Sequence, residues 1–151
     1  MNDELVTKIT ENFQKIAGQN IEFDSSSGPG PLNWSPEDFA IEISIRGGAS
    51  GWVCMVMNKN LSTRVAQKVL SIALSQDYPM DQIDAGLAEN TVGEIINIAL
   101  GEYFIARKNA VPADISSPIY HDTGSPSTER SGTVLQFRIE HEGFQLVYVI
   151  E

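Results

Sequence analysis

Asn90-Thr91-Val92-Gly93-Glu94-Ile95-Ile96-Asn97-Ile98-Ala99-Leu100-Gly101 is an apolar run interrupted by polar residues at helical spacing. Turned at about 100° per residue, residues 90–108 separate into two arcs. Val92, Ile95, Ile96, Ala99, Leu100, Tyr103, Phe104 and Ala106 share one. Asn90, Glu94, Asn97, Gly101 and Lys108 occupy the other, with Ile98 and Ile105 at its border. This pattern predicts a helix that packs its apolar stripe on a sheet or a second helix and turns the other face to solvent. On that open face Glu94 and Asn97, at i and i+3, are neighbours. Gly101 follows them one turn later. A mid-helix glycine costs about 1 kcal/mol relative to alanine, so a close approach of backbone is expected there. Asparagine is a mediocre helix former, because its side chain competes for backbone hydrogen bonds. Spacing alone does not choose between a contact site and two solvated residues on an amphipathic helix.

Working outward, Leu5, Ile9, Phe13 and Ile16 at helical spacing mark a first helix that ends at a Gly18 cap. A short strand is expected over 20–25, then a Gly, Pro and Ser-rich loop over 24–37. Phe39, Ile41, Ile43 and Ile45 alternate with polar or small residues, the period-two signature of a half-buried strand. The turn Gly47-Gly48-Ala49-Ser50-Gly51 leads into a second hairpin arm over 52–57. A helix capped by Asn60 or Ser62 is expected to run to Leu74, with Val65, Val69, Ile72 and Ala73 facing inward. After the central helix, residues 113–120 read as a strand, and 121–132 as a second loose stretch. Strands over 133–140 and 144–150 follow, joined at Glu142-Gly143. The order predicts a layered α/β (α+β) domain over residues 1–151, with helices on one face of a largely antiparallel sheet.

Composition narrows the function classes. The 151 residues, 42% hydrophobic and 20% charged, are those of an ordinary globular chain. A net charge of -10 without any basic stripe argues against nucleic acid or an anionic membrane as partner. No apolar stretch approaches a membrane span, and the acidic N-terminus fits no signal peptide, so a cytoplasmic location is expected. The one cysteine, Cys54, cannot form an internal disulfide and reads as a small core residue. Asp77, Asp81, Asp84 and Glu89 match no calcium loop and read as a solvated linker. His121 and His141 lie far apart in sequence, and no metal site is expected. Trp52 reads as core or sheet surface, and Trp34, in the first loop, is the tryptophan better placed for a partner contact. Neither a Gly-x-Ser-x-Gly elbow nor a glycine-rich nucleotide loop is present.

The central segment resembles the active-site helix of the CheC/CheX/FliY chemotaxis phosphatase family, and length and element order resemble CheX most. That family's motif is Asp or Ser, three residues, Glu, two residues, Asn, with a proline further on. Glu94 and Asn97 match the Glu-x-x-Asn core, and Gly101 matches a glycine frequent four residues after the Asn. Asn90 replaces the first Asp or Ser, and Pro118 arrives two residues early. The resemblance implies hydrolysis of the aspartyl phosphate on a CheY-type response regulator, whose receiver domain supplies the Mg²⁺; this chain needs no cofactor of its own. It assigns catalysis to Glu94 and Asn97: Asn97 orients the attacking water and Glu94 docks a receiver lysine. Asn90 and Gly101 would be partner-binding positions. It also implies a homodimer formed through the sheet, and the strand-rich C-terminal half has edges that need covering. A second reading is a non-catalytic binding module that docks on a receiver or a motor switch protein. Its support is Asn90 and the acidic surroundings Glu89, Glu94 and Glu102, which would repel an acidic receiver site.

Overall fold

Leu5, Ile9 and Phe13 recur on one helical face and are fully buried in α1 (Asn2–Ala17). The helix closes as expected at Gly18, in the left-handed region with φ of 61°. The computed structural model describes residues 2–31, 35–107, 112–121 and 131–151. Trp34, Lys108 and residues 122–130 of the second loose stretch lie outside them. After α1 come β1 (Ile21–Pro31), β2 (Asp38–Gly47), β3 (Gly51–Asn58), α2 (Lys59–Leu74), a 3-10 turn at Met80–Gln82 and α3 (Ala85–Ala106). β4 (Ala113–Ile115), β5 (Ile119–His121), β6 (Ser131–Ile139) and β7 (Glu142–Ile150) complete the chain.

The strands form one sheet in the order β1-β6-β7-β3-β2-β4, with β5 also paired to β2, and every pairing is antiparallel. Alternation divides its side chains between two faces. Phe39, Ile41, Ile43, Ile45, Met55, Leu135, Phe137 and Leu146 join α1 and α3 in the main core. Ala40, Cys54, Val56, Val134 and Val147 form a smaller buried cluster with Trp52 against it, drawn from strands alone. The three helices therefore cover one face, and Cys54 is the small core residue expected. A relay of rings, Phe13–Phe144–Phe137–Phe23, with centroids 5.5, 5.2 and 5.5 Å apart, fastens α1 to β7, β6 and β1.

Several local expectations need correction. β1 runs to Pro31, through half of the expected loop, because its backbone pairs with β6 across two register shifts. Its side chains are almost all exposed, so no apolar alternation announced it. The expected strand over 113–120 is two short strands separated by residues 116–118. Pro118 has no N–H to offer a ladder, and Ser116 ties the gap by accepting from the Ser44 N–H at 2.9 Å. α2 is capped by Asn58, whose side-chain oxygen accepts from the N–H groups of Asn60 and Leu61, and not by Asn60 or Ser62. Its buried face is confined to the first two turns, at Leu61, Ser62, Val65 and Ala66, where it meets α3 and β3. Ile72 and Ala73 are consequently exposed and Val69 half-buried. The C-terminal hairpin turns at Glu140-His141, both with positive φ (49° and 79°), while Glu142 and Gly143 already pair with Ile139 and Arg138. These C-terminal strands are interior, and among the described residues the sheet edges are β1 and the β4/β5 side.

A non-glycine residue in the left-handed region is strained by about 1–2 kcal/mol. Replacing His141→Gly at that turn should therefore raise stability by about 1 kcal/mol, seen as a higher urea midpoint at unchanged slope. A lowered midpoint would mean that His141 makes contacts worth more than the backbone strain it bears.

Candidate functional site

α3 is sunk in the helical layer between α1 and α2. Asp84 caps it, its carboxylate accepting from the Leu87 N–H at 2.8 Å. Asp77 and Asp81 are exposed, as a solvated linker should be, whereas Glu89 is half-buried on the helix itself. Ala88, Val92, Gly93, Ile95, Ile96, Ala99, Leu100, Tyr103 and Phe104 are buried, close to the arc read from periodicity, although Ala106 is exposed. Asn90, Glu94, Asn97, Ile98, Gly101 and Ile105 remain as an open strip.

Glu94 is exposed and has no ion-pair partner among the described residues. Asn97, beside it, is half-buried, and its side-chain oxygen is enclosed without a hydrogen-bond partner among the described residues. A buried acceptor left unsatisfied costs about 1–3 kcal/mol. The terminal amide torsion is soft, so that oxygen can turn to meet a donor arriving from outside. Glu102 differs sharply. Asn12, fully buried on α1, donates to one of its carboxylate oxygens at 3.0 Å, and Lys15 reaches the other at 3.4 Å. The Asn12 hydrogen bond, then the Lys15 charge, hold the Glu102 carboxyl below its ordinary value against an opposing effect of burial. Glu102 thus belongs to an α1–α3 tether, and one of the three charges expected to repel an acidic partner is already answered.

The two glycines on either side of Asn97 have opposite roles. A Cβ at Gly101 would meet none of the described residues within 4 Å, so the strip is open to them there. A Cβ at Gly93 would lie 2.9 Å from Cε1 of Tyr120 and closer still to its hydroxyl. The close approach signalled by a mid-helix glycine is therefore made at Gly93, and by this chain's own tyrosine. Tyr120 comes from β5, held in register by the pairing of Ile41 with Tyr120. Burial, then the charges of Glu94 and Glu89, push its phenol above its ordinary value of 10.0. Sequence reasoning missed Tyr120, although the buried side of Gly93 was its available signal. Pro118 stands two residues before it, at the entry to β5.

The histidines do not meet. His121 bonds the Glu42 carboxylate at 3.1 Å across β5 and β2, while His141 lies in the β6–β7 turn with β3 and β2 between them. Among the described residues no three His, Cys, Asp or Glu side chains gather closely enough to hold a metal ion. No described helix is long and apolar enough to cross a membrane.

No protein-family model matches the chain, and no curated protein matches it. Solved structures do. The chemotaxis protein CheX from Desulfovibrio desulfuricans superposes with a TM-score of 0.73 at 16% identity, over 99% of this chain and 97% of that one. The fold is CheX-like. The CheX–CheY–BeF3–Mg²⁺ complex from Borrelia burgdorferi superposes with a TM-score of 0.72 at 15% identity, covering 99% of this chain and 96% of its own. FliY from Thermotoga maritima follows at 0.64 and 16%, covering 95% and 83%.

Gly93→Ala should destabilise the CheX-like fold by about 1–3 kcal/mol through overpacking against Tyr120. Gly101→Ala should leave it unchanged or stabilise it by up to about 1 kcal/mol through helix propensity. Thermal unfolding of the two variants side by side separates the roles, and equal losses would contradict them. The α1–α3 tether carries a pH signature. Because the folded Glu102 pKa lies below its ordinary value of 4.5, its contribution is present above that value and lost as pH falls through the lowered one. Glu102→Gln should therefore be less stable than wild type at pH 7, with the gap closing in acid; a gap independent of pH would refute the tether.

Proposed function

We propose that this chain docks on the receiver domain of a CheY-type response regulator and hydrolyses its aspartyl phosphate. One observation carries the reading: Glu94 and Asn97 stand together on the open strip of α3, a carboxylate without an ion-pair partner and a carboxamide oxygen without a hydrogen bond among the described residues. The CheX-like fold and the solved CheX complex with CheY support the choice of partner.

In this mechanism the water attacks phosphorus opposite the acyl oxygen, the P–O bond to the receiver aspartate breaks, and inorganic phosphate leaves. Little covalent work falls to the enzyme; positioning and charge stabilisation supply most of the acceleration. A carboxamide offers an acceptor and two donors on one rigid plane. The Asn97 oxygen accepts an O–H of the attacking water and aims its lone pair, while its NH₂ group is free to donate to a phosphoryl oxygen. Glu94 forms a charge-assisted bond with a receiver lysine and sets the register of insertion. The open space at Gly101 admits the receiver backbone, and Asn90 lies one turn before Glu94 at the edge of the contact. Mg²⁺ belongs to the receiver in this scheme. Two copies of the chain pair through an exposed sheet edge, for which β1 offers a long stretch. Asn90, in place of Asp or Ser, favours the second reading, a binding module that docks without hydrolysis.

Phosphate release from phosphorylated receiver domains in Mg²⁺ tests the proposal. Wild-type protein in catalytic amounts should accelerate release. Asn97→Ala should slow turnover at least about 100-fold, roughly 2.7 kcal/mol of barrier, with folding intact. Glu94→Ala should chiefly weaken docking. Undiminished turnover in Asn97→Ala would sink the mechanism, and binding without any acceleration would select the second reading.

A further inference from the structure

Beside Glu94 the three helices leave a groove of about 220 Å³. Its walls are Ile16 of α1, Val69 and Leu70 of α2, and Thr91, Ile95 and Ile98 of α3, with Glu94 also lining it. Thr91 adds little polarity, since its hydroxyl already donates to the Leu87 carbonyl at 2.7 Å. Among the described residues Glu94 is the one charged group in the lining. Ile98, 36% exposed, leaves apolar surface in water on a chain of net charge -10. An apolar cavity of about 150 Å³ is enough to take benzene, so this groove has room for one branched side chain.

We infer that the groove is a socket for a single aliphatic side chain of the docking receiver, presented by the segment that also brings the cation to Glu94. This inference rests on the reading above and names the chemistry of the contact. Charge complementarity selects the occupant. A hydrocarbon groove with a solitary carboxylate rejects an acidic segment and a polar one, and accepts an aliphatic residue next to lysine or arginine. Seating the aliphatic group expels water from beside Glu94, lowers the local dielectric and strengthens the ion pair. Interface binding energy concentrates in well-packed, desolvated pockets from which the surrounding contacts exclude water.

The test is titration of receiver domains of the source organism, loaded with beryllofluoride and Mg²⁺, into wild-type protein and three variants. Thr91→Met places a flexible apolar side chain in the groove, and should weaken binding at least about 10-fold, which is 1.4 kcal/mol. Ile98→Ala removes part of a wall that is already partly exposed, and should weaken binding several-fold; it decides the matter if Thr91→Met fails to fold. Leu74→Ala, 51% exposed at the end of α2 and outside both the groove and the open strip, should bind as wild type does. Unchanged affinity in the first two variants, or an equal loss in Leu74→Ala, overturns the socket while leaving docking itself in place. A wild-type protein that binds no loaded receiver removes the proposed function, and the socket with it.

Discussion

Everything at the site depends on how deeply α3 is set into the helical layer. Burial of Val92, Ile95, Ile96, Ala99, Leu100 and Tyr103 leaves the helix no freedom to rotate, because each of these side chains would have to leave the core. Fully burying a large aliphatic or aromatic side chain is worth about 1.5–3 kcal/mol. A rotation sufficient to hide Glu94 would forfeit several of these at once. The Gly93–Tyr120 contact adds a stop on the buried side, with no Cβ between the helix backbone and the phenol ring. A rigid buried helix thus fixes the direction of two polar side chains on its open strip, which is what positioning catalysis requires.

Electrostatics sharpen the same strip. The chain is strongly acidic, yet its carboxylates are not equivalent. Glu22 and Asp24 share Arg138, Glu142 faces Arg64, and Glu102 is tied to Asn12 and Lys15. Among the described residues Glu94 has no such partner, on the helix that carries Asn97. An acidic surface discourages association with other acidic surfaces, and a single uncompensated carboxylate beside an apolar groove turns that general repulsion into a preference for one kind of partner.

Much of this was legible in the residues. The arc of α3, the alternation of β2 and the glycine cap of α1 follow from periodicity and turn chemistry, which are local. The failures share a cause as well. β1 has exposed Ser and Gly side chains and is a strand only because β6 offers its backbone a ladder, a long-range fact. Glu142-Gly143 resembles a turn, but the alternation of Phe137 and Ile139 against Phe144 fixes the register and moves the turn to Glu140-His141. Periodicity separates Gly101, on the open arc, from Gly93, but what fills the space beside Gly93, Tyr120 from a strand 27 positions later, is again a long-range fact. Asn12 and Glu102 are likewise 90 positions apart, so the pairing that neutralises one charge near the motif could not be read from either residue alone.

The most direct measurement is the footprint of a partner on the chain. Isotope-labelled protein titrated with a beryllofluoride- and Mg²⁺-loaded receiver domain reports each amide by chemical-shift change. The largest changes should fall on Glu94, Asn97, Ile98 and Gly101, with smaller ones at Tyr120, and the sheet face around Cys54 and Val147 should remain silent. Changes centred on the helix-free face of the sheet, with α3 unaffected, would contradict a receiver-docking site on α3.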